Sequence, residues 1–146
     1  MRTLRALIIV LYVAAGALAG EEKAPSSRFV PVSVYIDAGA NAMAAYQFEL
    51  TVVQGDAKIV GLEGSDAKAF NDAPYYDPAA LMNKRIIVAA LRTARDLPTG
   101  KIKVAVIHMQ VSGATEPEYK VKLITAANAE GQSISAEVTL VKGEQK

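Results

Sequence analysis

The sequence predicts an all-β protein, an antiparallel β-sandwich. Three observations carry this. Apolar and polar residues alternate with a period of two along successive short segments, the pattern of strands with one face on a core. Those segments are rich in Val, Ile, Thr and Tyr, which fit a pleated, half-buried surface. Clusters of Gly, Pro, Asn, Asp and Ser stand between them as turn signals. At least seven such strands can be counted, enough for two stacked layers.

Composition bounds the functions. With 146 residues, 51% hydrophobic and 21% charged, the chain suits one globular domain with a real core and not a disordered one. It has no cysteine, which excludes thiol chemistry and disulfide staples. A formal charge of +1 gives no pull toward nucleic acid or an anionic membrane.

The first residues read as a signal peptide, 1–19. Arg2 and Arg5 precede an apolar run that ends in Ala17-Leu18-Ala19, a small-x-small cleavage pattern. The run is short of the roughly 20 residues a membrane span needs. Contact with a membrane is expected only through this segment during export. The mature protein is then secreted, periplasmic or in the cell envelope. Cleavage after Ala19 takes two of the 16 basic residues and leaves a formal charge of −1 against 15 acidic ones. Residues 20–28 read as a disordered lead, 29–142 as the sandwich domain and 143–146 as a charged tail.

Taken in order, residues 30–37 place Val30, Val32, Val34 and Ile36 on one face. Pro31, which has no N–H to donate, marks an edge or a point before pairing begins. Residues 45–54 place Tyr46, Phe48, Leu50 and Val52 inward. Gly55-Asp56 signals a tight turn into a short strand at 58–62. Residues 63–84 are the least regular part. Within them Asp77 can cap a helical turn that Pro78 starts, over 78–82. Residues 85–93 are apolar in both phases, as for a strand covered on both sides or facing a partner. Residues 101–111 lie between Pro98-Thr99-Gly100 and Ser112-Gly113, with Ala105, Ile107, Met109 and Val111 facing a core. Tyr119, Val121 and Leu123 point inward from the next strand, and Ile134, Ala136, Val138 and Leu140 from the last, over 133–141.

No catalytic constellation assembles, and the chain is not expected to be an enzyme. His108, the single histidine, shares a solvent-facing strand phase with Gln110 and not a loop with a nucleophile. Asp66, Asp72, Asp77 and Asp96 show no converging spacing. Calcium ligation by Asp37 or by Asn71, Asp72 and Asp77 is weakly signalled beside plain turn chemistry. No metal site and no cofactor is expected.

Five segments carry a family resemblance: AAYQFELTVV at 44–53, APYYDPAAL at 73–81, RIIVAAL at 85–91, DLPTGKIKVAVIHMQVSG at 96–113 and ISAEVTL at 134–140. In order and spacing they resemble the cohesin family over nearly all the mature chain. The resemblance implies a nine-stranded jelly-roll sandwich, related in fold to some cellulose-binding modules. It implies a non-catalytic module that binds dockerin-bearing proteins through one flat sheet face, and it assigns the 101–111 strand to that sheet. The chain departs from scaffoldins in carrying one such domain without repeats, and in running Thr51-Val52-Val53-Gln54-Gly55-Asp56 after Phe48-Glu49-Leu50.

The expected function is therefore an exported protein-interaction module, with a polysaccharide-binding module as the alternative. If Ala105 and its phase face the core, Val104 and Val106 face outward beside His108 and Gln110 as an apolar centre with a polar rim. With Arg92 these are the candidate partner-binding residues, and Val106→Arg is expected to abolish binding at unchanged melting temperature. For sugar binding, Tyr75 and Tyr76 are the candidate stacking residues. The chain has no tryptophan to extend such a row.

Overall fold

The computed structural model describes residues 26–66 and 68–144. The expected signal peptide, and the lead up to residue 25, lie outside these. Eight strands follow in order: β1 (Ser27–Asp37), β2 (Ala45–Gln54), β3 (Asp56–Gly64), β4 (Tyr75–Tyr76), β5 (Arg85–Leu91), β6 (Lys101–Ser112), β7 (Glu118–Ala127) and β8 (Glu137–Lys142). They form two four-stranded sheets, a back sheet ordered β3-β6-β1-β8 and a front sheet ordered β4-β5-β2-β7. Their pairings are all antiparallel.

The alternation in the sequence sets the core. Val32, Val34 and Ile36 from β1, Tyr46, Phe48 and Leu50 from β2, and Ala105, Ile107, Met109 and Val111 from β6 are buried between the sheets. Tyr46 stacks on Phe48 and meets Phe70 edge-on, with ring centroids 5.8 and 5.2 Å apart. Phe70 belongs to a 3₁₀ turn, Lys68–Phe70, within the irregular segment, and it anchors that segment to the core.

Several boundaries move from their expected places. β1 starts at Ser27, because Ser27 and Arg28 pair with Ser112 and Val111 of the long β6. β8 pairs only from Val32 onward, so Pro31 sits just before that pairing begins, as its missing N–H requires. Gly55 does not close a hairpin: β2 and β3 belong to different sheets, and Gly55, at φ +84°, turns the chain from one layer to the other. Among the described residues the count is eight strands and not the nine expected. Residues 133–136 make one isolated bridge, Ala127 to Ser133, so the last strand begins only at Glu137. Ile134, Ala136, Val138 and Leu140 still pack against the core as expected. Asp77 caps the 3₁₀ turn Pro78–Ala80 by accepting from the Ala79 N–H at 2.9 Å.

Candidate functional site

The candidate residues on β6 divide between two environments. Register shifts where Val34 and Tyr35 of β1 oppose Ala105 and Lys103, leaving Val104 as the extra residue of a bulge. The bulge turns Val104 into the core, where it is 0% exposed. Val106 keeps the outward phase, but it lies between Ser33 and Glu63 on the neighbouring strands and is only 5% exposed. The expected exposed apolar centre at Val104 and Val106 is therefore corrected: both valines are buried. His108 and Gln110 follow on the same outer face and are half-buried. Pro31 and Gly61 flank His108 in register, and its Nε2 is 3.5 Å from the Glu63 carboxylate.

Arg92 stands elsewhere, just past β5, and its side chain is 20% exposed. It donates to the carbonyls of Lys68 and Ala69, at 3.2 and 2.9 Å, and to Asp96 at 3.2 Å. These bonds tie the 3₁₀ turn at 68–70 to the loop after β5, so Arg92 is occupied in holding the fold. That bond and the Arg92 charge hold the Asp96 carboxyl below its ordinary range.

Tyr75 and Tyr76 alternate across β4. Tyr76 packs against the core and Tyr75 points out, 75% exposed. Consecutive strand residues face opposite ways, so the two rings share no platform.

The back sheet's outer face closes on itself around Tyr35. The Tyr35 hydroxyl donates to Glu144 at 2.6 Å, and Lys103 Nζ lies 3.2 Å from the same carboxylate. Lys101 and Lys103 sit over the Tyr35 ring, 5.3 and 5.7 Å from its centroid. The Tyr35 hydrogen bond, then that from Lys103, holds the Glu144 carboxyl below its usual range.

The front sheet presents a second outer face. Register brings four rows of side chains across its outer face. Leu91, Ala45 and Ala127 form one; Tyr75, Ala89, Gln47 and Thr125 form the next. Ile87, Glu49 and Lys122 come third, then Arg85, Thr51 and Lys120. Leu91 is 67% exposed, and Ile124, carried out by a second bulge opposite Gln47 and Phe48, is 45% exposed. Arg85 donates to Glu49 through Nε at 3.1 Å and through its terminal nitrogen, which keeps the Glu49 carboxyl ionised below its ordinary range. At the sheet's edge a groove of about 630 Å³ runs between β5 and the capped turn, lined by Tyr75, Asp77, Ala79, Arg85, Ile87 and Ala89. The sequence held one clue to this face, the two-phase apolarity of 85–93. The rest arises from strands far apart in the chain.

Among the described residues, no three His, Asp or Glu side chains group as metal ligands. Nor is any helix long and apolar enough to cross a membrane. Among the described residues, the front face has an apolar end at Leu91, Ala45 and Ala127 and a charged end at Arg85, Lys120 and Lys122.

The fold so defined is that of a cohesin-like β-sandwich. It is similar to a solved structure of a type I cohesin–dockerin complex from Clostridium thermocellum, Coh-OlpA–Doc918, with a TM-score of 0.52 and 16% sequence identity, covering 77% of this chain and 84% of that one. No protein-family model matches the chain, and no curated protein matches it.

Proposed function

We propose that this chain is an exported, non-catalytic module that binds another protein across the outer face of the front sheet, and not across the back sheet that holds the 101–111 strand as first expected, a dockerin-bearing protein being the kind of partner. One observation carries the reading: Tyr75, Leu91 and Ile124, all large and exposed, share that face with half-buried Ile87, Ala89 and Ala45. Exposed apolar side chains rimmed by polar ones are the anatomy of a protein contact. The likeness to a cohesin from a cohesin–dockerin complex supports the same reading. Export rests on the leader pattern at 1–19.

The test is a titration of the mature protein with a type I dockerin module, run beside a cellulose pull-down. Saturable dockerin binding that Leu91→Arg abolishes, at unchanged melting temperature, is the expected result. Binding to cellulose alone, reduced by Tyr75→Ala, would replace this reading with the polysaccharide one.

A further inference from the structure

The front face is not uniform in charge, and its polarity says what a partner must bring. Its cationic groups gather at one end: Arg85 on β5, and Lys120 and Lys122 on β7, are all exposed. The two lysines are two residues apart on one strand, so they project from the same side about 7 Å apart. Two acids lie among them: Glu49, bound by Arg85 and opposite Lys122 in register, and Glu118, exposed two residues before Lys120 on the same phase of β7. Among the described residues no carboxylate lies within ion-pair distance of Lys120 or Lys122. At the opposite end the rows of Leu91, Ala45 and Ala127 and of Tyr75, Ala89, Gln47 and Thr125 are uncharged, with Asp72 and Arg92 only at the border beyond Tyr75 and Leu91.

Resting on the protein-binding reading, we infer that the partner is a protein segment of two-part character: apolar side chains for the Leu91–Tyr75 end, and two or more carboxylates for the Lys120–Lys122 end. A carboxylate pair set between the lysines gains charge-assisted hydrogen bonds without displacing the Arg85–Glu49 pair. A basic segment would meet the like charges of Lys120 and Lys122 there, which costs affinity and slows encounter. Charge at this end fixes the direction in which the partner lies along the strands; the apolar end alone fixes none.

The experiment uses two synthetic 14-residue peptides with the same Leu/Ala/Tyr-containing half. One carries Asp and Glu in its other half and the second carries Lys and Arg. Each is titrated into the isotope-labelled mature protein at about 50 mM salt, and backbone amide shifts are followed. The acidic peptide should bind at least tenfold tighter, with shifts centred on Thr51, Lys120 and Lys122. The preference should vanish in the K120E/K122E double variant and shrink as salt screens the exposed charges. Equal binding of both peptides to this face, or preference for the basic one, overturns the inference while leaving the face a protein contact. Absence of shifts on the front sheet with either peptide overturns the contact reading as well.

Discussion

The hydroxyl of Tyr46, on the front sheet, donates to the main-chain carbonyl of Val104, on the back sheet, at 3.2 Å. The bond crosses a core otherwise made of apolar side chains, and it ends on the bulged residue of β6. One side chain therefore satisfies a buried acceptor at the irregularity in the ladder and fixes how the two layers face each other.

Tyr46→Phe should destabilise the fold by about 1–2 kcal/mol at neutral pH, the cost of leaving a buried carbonyl short of a partner. Burial also pushes the Tyr46 hydroxyl well above the ordinary tyrosine range. Its contribution is complete below the unfolded-state value near 10 and is lost as pH rises beyond that. Urea titrations at pH 7 and pH 11 should show a loss for the native protein that is smaller in Tyr46→Phe.

Val106→Arg tests the corrected burial. An arginine there must displace the cover between Ser33 and Glu63, so a loss of about 2 kcal/mol or more is expected. Leu91→Arg, at an exposed position, should stay within about 0.5 kcal/mol of the native protein. Thermal unfolding of both variants makes the comparison.

Gly64 is packed against chain. A Cβ there would run into the carbonyl oxygens of Asn71 and Asp72, which are backbone and have no rotamer to yield. Gly64→Ala should cost about 1–3 kcal/mol, the range for overpacking, and should raise hydrogen exchange around Phe70.

Removing the Tyr35 hydroxyl bears on the carboxyl-terminal tail. Tyr35→Phe takes away the strongest influence holding the Glu144 carboxyl below its usual range. A depressed carboxyl stabilises the fold above its unfolded value and ceases to do so as pH falls through its folded one. A carbon-detected titration of Glu144 should therefore move its midpoint upward in Tyr35→Phe, toward the ordinary carboxylate range.

Much of the fold was legible because period-two alternation is a local signal: the inward residues of β1, β2, β6 and β7 follow directly from it. The Asp77-Pro78 cap was equally local. What escaped depends on neighbours distant in sequence. Val104 turns inward because β1 and β6 slip register by one residue, and nothing within 101–112 announces a slip whose other half is at Val34 and Tyr35. Val106 is covered by what Ser33 and Glu63 place beside it. Gly55 reads as a hairpin turn locally, yet hands the chain to the other layer. The open face escaped for the same reason. Tyr75, Leu91 and Ile124 belong to three strands, and only the order β4-β5-β2-β7 makes them neighbours.

β1 and β8, the outermost strands in sequence, lie side by side in the back sheet, and Glu144 turns back over that sheet toward Lys103. Anything joined covalently to the domain at either of these points leaves from the layer behind the front sheet. A tether, a fusion or a solid support attached there would hold the molecule like a plaque on a wall, its front sheet turned to the solution.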